Sequence, residues 1–368
     1  MKFTKSSFLA IFLIIYLFSA IPSKHDSFLE VQSINNVGFS QMEIKSLEDM
    51  KVLLIIGTYF GDSYFWLKTQ FEAFGCNVTT AGTSSLVPSC PNKPQRPVAP
   101  NISVYDMTRE IIQEFDCVII PSGAHWTYLI INNDVHDILN IAYEEGLVVG
   151  GLCIGTLVLA YADDLVAGKK VCYYSGSYSK MTQVGAEIIY GSGVVSDQRL
   201  VTGGTGAYNT INVNVYPFSV AISKAVLGLS GITNIEIAPS KGSINETYTL
   251  SAETSDLTNI FGVNYTNTID HLKGTIHSED EEFEDKTVYL YDLDEDNKFV
   301  ANYTSTAKGP FSIDFEIEGD SYGIEIIRNA IDFKIRSLPG FNWLITIPAL
   351  FGIVGITKII KSNKNKRK

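Results

Sequence analysis

The chain has 368 residues, room for two or three domains, and its 45% apolar and 18% charged residues are ordinary for a folded protein. A net charge of −12 argues against a nucleic-acid partner, because phosphate binding needs a concentrated basic face and basic clusters lie only at the two ends. Five cysteines are too few for a disulfide scaffold.

Lys2 and Lys5 precede the apolar run Phe8–Ala20, and small residues with a proline follow at Ser19, Ala20, Pro22 and Ser23. Basic start, short apolar core and small-residue exit are the order of a secretory signal over residues 1–23; an uncleaved anchor or a buried core helix are the alternatives. Residues 24–50 are polar and unpatterned, as in a linker. Lys51–Gly57 then reads as a strand buried on both faces and ended by glycine. Apolar residues at helical spacing predict a helix over Tyr64–Phe74, stopped by Gly75. A second strand follows at Asn77–Ala81. The loop beyond it carries Pro88, Pro91, Pro94, Pro97 and Pro100, which exclude regular structure. Cys76 and Cys90 are candidates for a disulfide across this loop.

Alternation resumes with strands at Ile102–Tyr105, Cys117–Pro121 and Leu147–Leu152, and helices at Thr108–Phe115, Asn133–Glu145 and Thr156–Tyr161. This order predicts a doubly wound, flavodoxin-like parallel sheet over residues 51–230, with its site at the carboxyl ends of the strands. Shorter pieces follow, and Phe218–Leu227 reads as the last helix. From about Ile232 the runs are short and often alternating: Ile235–Ile237, Tyr248–Ala252, Ile260–Val263, Thr287–Tyr291, Phe299–Tyr303, Phe311–Phe315, Tyr322–Ile326 and Ile331–Ile335. They predict an all-β, Ig-like sandwich over 231–338, serving as a stalk or spacer.

Phe341–Ile360 is twenty residues long with one charge, Lys358, and is long enough to span a bilayer. Trp343 suits one interface, and the tail 361–368 holds Lys361, Lys364, Lys366, Arg367 and Lys368, which belong on the cytoplasmic side. The expectation is a single-pass cell-membrane protein with its bulk outside. Pro339-Gly340-Phe341 before the apolar stretch is also similar to an archaeal sorting signal, so 339–360 is either a transmembrane helix or such a signal. Five N-x-S/T acceptors, Asn77, Asn101, Asn245, Asn264 and Asn302, suit a glycosylated external region.

The chemistry centres on Gly150-Gly-Leu-Cys153-Ile-Gly-Thr156. A strand, one residue on a tight turn and then a helix present a nucleophile, and the glycines remove side chains that would clash. A helix amino end favours the thiolate. Cys153 is therefore either the nucleophile or a buried packing residue. His277-Ser-Glu279 and the spacing Asp292, Asp294, Asp296 are read as a chance match and a polar hairpin. Nothing calls for a metal or a cofactor.

The segments "GLVVGGLCIGTLVLAYADDLVAGKKVCYYS" and "VGAEIIYGSGVVSDQRLVTGGTGAYN" resemble the PfpI/DJ-one family of the class I glutamine-amidotransferase-like superfamily, as do "KVLLIIG" and "FDCVIIPSG". The resemblance covers about residues 50–230. It implies a reactive Cys153 and hydrolase-type chemistry on a small molecule or peptide. It implies a following histidine, where Ile154 stands, and a glutamate after the first strand, where Asp62 is the nearest acid. His125 is the candidate replacement base, and Gly123, Ile154 and Gly155 line the oxyanion pocket. Related domains often dimerise. The competing reading is a non-catalytic derivative that binds a ligand or partner.

Overall fold

The computed structural model describes residues 32–33, 46–91, 96–204, 211–261, 263–264, 269–280, 282–319 and 323–336. The expected signal segment, most of the linker, the membrane or sorting segment and the basic tail lie outside the described residues. No helix among the described residues is long and apolar enough to cross a membrane.

The first unit begins with β1 (Lys51–Ile56), α1 (Ser63–Ala73) and β2 (Asn77–Gly82). Then come β3 (Ile102–Ser103), α2 (Arg109–Ile112), β4 (Cys117–Ile120), α3 (Trp126–Leu129), α4 (Asn133–Glu144), β5 (Val148–Leu152) and α5 (Gly155–Leu159). The unit finishes with β6 (Lys170–Cys172), α6 (Tyr178–Gln183), β7 (Glu187–Ile189), β8 (Val194–Asp197), β9 (Leu200–Gly203) and α7 (Ile211–Leu227). The parallel sheet runs in the order β3-β2-β1-β4-β5-β9, with β8 antiparallel at its side. It is the α/β fold the alternation predicted.

Strand β1 shows why both faces must be apolar. Leu53 and Ile55 join the core under α4 and α5 with Ile138, Leu139, Val158 and Leu159. Val52, Leu54 and Ile56 join the opposite core with Leu67 and Phe71 of α1 and Phe218 and Ile222 of α7. A side-chain period of two places successive residues on opposite faces, so a strand covered twice reads as one unbroken apolar run. The helix boundaries follow local chemistry: the Asn132 side chain caps α4 by accepting from the Val135 amide at 3.2 Å.

The β-rich region contains β10 (Ile232–Ala238), β11 (Lys241–Ser243), β12 (Thr247–Thr254), β13 (Leu272–Ser278), β14 (Lys286–Leu290), β15 (Lys298–Thr304), β16 (Gly309–Gly319) and β17 (Gly323–Arg336). One sheet joins Gln32–Ser33, β10, β12 and β15; the other runs β14-β13-β16-β17. Tyr248, Leu250 and Phe299 of the first share a core with Ile313, Phe315 and Ile331 of the second. Two findings differ from expectation. The expected runs that end at Ile326 and begin again at Ile331 belong to one strand, β17, whose register on β16 shifts between Ile313 and Phe315. There Asn329 takes φ 49° and its amide donates to Asp314 Oδ1 at 2.8 Å. Second, β17 also pairs with β8, Ile324–Ile326 against Val195–Asp197, so the larger sheet continues from the first unit into the β-rich region.

Candidate functional site

Extending β5 by one residue places Cys153 on a sharp turn with φ 57°, the left-handed region that costs an L-residue about 1–2 kcal/mol. Two contacts fix this turn. The Cys153 amide donates to the Gly203 carbonyl at 2.5 Å, adding a rung beyond the β5–β9 pairing. The Cys153 carbonyl accepts from Thr156 Oγ1 at 2.6 Å and from the Thr156 amide at 3.0 Å. The turn also needs Gly155, where a Cβ would stand 2.4 Å from the Ile120 carbonyl oxygen and 2.8 Å from that of Pro121. The strand, tight turn and helix read from sequence are therefore all present.

The surroundings of the thiol are less inviting. Cys153 is fully buried, in an apolar cluster that includes Phe60, Leu152 and Phe218, with Ile154 and Tyr174 packed against it. Ile154 adopts helical φ at the start of α5, half-buried, and a Cβ on Gly176 would stand 2.8 Å from its Cδ1. It offers no proton acceptor.

His125 sits at the start of α3, completely buried. Its Nδ1 accepts the Gly57 amide at 3.1 Å, which sets the tautomer, and Nε2–H donates to the Pro121 carbonyl at 2.9 Å. Burial pushes its pKa down to about 4, against the Pro121 bond that favours the protonated ring. The Nδ1 bond thus joins the loop after β1 to the loop after β4, and the Nε2 bond closes the latter on itself. Both ring nitrogens of the candidate base are therefore engaged by backbone groups.

Asp62 lies just before α1 and pairs with Arg96 Nη2 at 2.9 Å. The same guanidinium lies 4.0 Å from the Phe65 ring centroid. The acid is therefore tied to the proline-rich loop. Gly123 has φ 152°, and a Cβ there would stand 2.2 Å from the Gly61 amide nitrogen. Its place is fixed by the antiparallel bridge between Phe60 and Gly123. Nearby, the Ser122 carbonyl accepts from the Gly61 amide and from Ser63 Oγ, each at 3.0 Å.

Sequence reasoning missed the polar groups around the elbow. Thr156 Oγ1, its proton given to the Cys153 carbonyl, also lies 2.8 Å from Ser177 Oγ and accepts from it, which fastens the segment before α6 to the turn. Thr156 and Ser177 are short polar side chains in ordinary-looking stretches, and only the fold brings them together, as it does Ser63 and Ser122. Cys172 is buried near the same turn, and burial foremost pushes its thiol up to about 12.

The five cysteines are all free. Cys76 directly precedes β2, whereas the Cys90 amide donates to Phe60 just beyond the far end of the neighbouring β1. Six residues at about 3.3 Å each separate those ends, so the candidate Cys76–Cys90 disulfide is not formed. His277 bonds Asp285 Oδ2 through Nδ1 at 2.8 Å, within the β-rich region, and Asp292 accepts from the Asp296 and Asn297 amides as a hairpin side chain does. A cavity of about 820 Å³ is lined by Arg199, Lys224, Leu229, Ser255, Ile326 and others. Arg199 precedes β9, so this cavity adjoins the end of the sheet opposite Cys153 and is a feature of the seam between the two regions.

Residues 50–213 match the DJ-1/PfpI family. A two-domain protein with DJ-1/ThiJ/PfpI-like and ferritin-like domains from Anabaena variabilis is similar at 22% identity and TM-score 0.42, covering 50% of this chain and 49% of its own. A ThiJ/PfpI domain protein from Brachyspira murdochii is similar at 18% identity and TM-score 0.42, covering 50% of this chain and 99% of its own. Drosophila melanogaster DJ-1beta is similar at 20% identity and TM-score 0.42, covering 49% of this chain and 91% of its own. The chain thus spans about half the length of the first of these. No curated protein matches the chain.

Proposed function

We propose that this chain, whose residues 50–213 form a DJ-1/PfpI family domain, is a non-catalytic binding derivative of that fold, exported and held at the cell membrane. The observation that carries this reading is His125, buried and with both ring nitrogens spent on backbone groups. The other two candidates agree: Asp62 is paired with Arg96, and Ile154 has no ionisable group. A buried thiol whose candidate bases are engaged elsewhere remains a poor nucleophile.

Export and anchoring rest on the basic-apolar-small start, the apolar Phe341–Ile360 and the basic tail. Four of the five acceptor asparagines, Asn77, Asn101, Asn245 and Asn302, are exposed, which suits a glycosylated outer region.

One observation favours a second reading, in which Cys153 is the nucleophile of a cysteine hydrolase. The residue keeps a strained φ of 57°, and such strain clusters at functional sites. Incubation of the full chain with p-nitrophenyl acetate, glutamine and methylglyoxal separates the readings. The binding derivative shows no turnover above that of Cys153→Ala. Turnover that Cys153→Ala abolishes overturns it.

A further inference from the structure

The β-rich region does not hang from the α/β unit like a spacer. Strand β17 pairs in parallel with β8 over only three residues. Three ion pairs reinforce that short ladder, and each joins one unit to the other. Arg328 of β17 grips Asp197 of β8 through two bonds, Nη2 to Oδ2 at 2.6 Å and Nε to Oδ1 at 3.1 Å. Its Nη1 reaches Asp314 Oδ2 of β16 at 3.1 Å. Lys224 of α7 pairs with Glu325, which also accepts the Gly231 amide at 3.0 Å. Lys170 of β6 pairs with Glu316 of β16 at 2.7 Å.

Burial decides which of these matters most. Asp197 is completely buried and the Arg328 side chain is 23% exposed. A carboxylate withdrawn from water needs compensation on both oxygens, and here Oδ1 and Oδ2 each take a guanidinium N–H while Oδ2 also accepts the Lys170 amide at 2.7 Å. Removing the arginine leaves that charge buried without its cation, which is the costly way to break such a pair. The contact is shaped for close approach: at Gly323, φ 84°, a Cβ would stand 2.2 Å from the Val194 carbonyl oxygen.

We infer that Arg328 is a clamp that makes the α/β unit and the β-rich region one cooperative body, so that binding or tension at either is transmitted to the other. This holds whatever the α/β unit binds. The sequence offers a reason for such rigidity: β17 ends at Arg336, where the chain runs on toward its apolar carboxyl segment.

The test is urea unfolding of the full chain, read by pulsed hydrogen–deuterium exchange on peptides from β4–β5 and from β13–β16. The native chain should show coincident midpoints for the two sets. In Arg328→Met they should separate, the weaker region moving down by about 1 M or more. Arg328→Lys, which keeps charge but not the fork, should fall between. Should Arg328→Met fail to fold, Arg328→Lys carries the test with a smaller separation. Two midpoints in the native chain overturn the inference. So do coincident midpoints in the folded Arg328→Met chain, or in Arg328→Lys where it stands in.

Discussion

The amide of Cys153 donates to the carbonyl of Gly203 at 2.5 Å, so the residue that looks like a nucleophile is also bonded across to the end of β9. The elbow is held by backbone geometry that works whether or not the thiol reacts. That separates two questions the sequence runs together: why the turn exists, and whether its side chain is armed.

The first question is answered by substitution at Cys153. Cys153→Gly relieves about 1 kcal/mol of left-handed strain and loses a comparable burial term, so its stability should stay within about 1 kcal/mol of the native chain. Cys153→Val places a β-branched residue at φ 57° and should cost more than about 2 kcal/mol. Urea midpoints at constant slope check both.

Gly155 should be far less tolerant than a glycine that only needs its φ. Gly155→Ala drives a Cβ into the Ile120 and Pro121 carbonyls and should cost at least about 3 kcal/mol or prevent folding. At Gly185, φ 83°, nothing lies within 4 Å of a Cβ, so Gly185→Ala should cost only about 1 kcal/mol. Thermal melts of the two variants give the comparison.

His125 predicts a pH dependence with a definite sign. Its folded pKa of about 4 lies below the ordinary 6.5, so the unfolded chain binds the extra proton first. The stability it contributes is present above pH 6.5 and is lost as pH falls toward 4, by up to about 3 kcal/mol. His125→Asn should be less stable at pH 7 and show a shallower loss over that window. An unchanged slope would show that His125 does not titrate there.

The cysteines make a direct count. Ellman titration of the denatured, unreduced chain should read five thiols. Three would mean that a disulfide forms.

Much of the α/β unit is legible because a doubly covered strand has no polar option: Val52 to Ile56 must all be apolar, and the run reads plainly. The elbow is legible for a similar reason, since only glycine fits at Gly155. The role of His125 is not. Its bonds go to Gly57, 68 residues away, and to the Pro121 carbonyl, and main-chain partners leave no trace in side-chain identity. The seam is hidden for the same reason. Asp197 and Arg328 are 131 positions apart, and nothing local marks either as half of a buried pair. The break between the runs ending at Ile326 and beginning at Ile331 hid the continuity of β17, because Asn329, at φ 49°, sits in a bulge within one strand.

The central claim is that the elbow is retained but unarmed, and alkylation of the native chain tests it most directly. Iodoacetamide labelling at pH 6 to 8, read site by site by mass spectrometry, should modify the half-buried Cys90 first. Cys153 should react no faster than the buried Cys117 and only as the chain unfolds. Rapid labelling of Cys153 in the folded chain at pH 6, ahead of Cys90, would contradict the account.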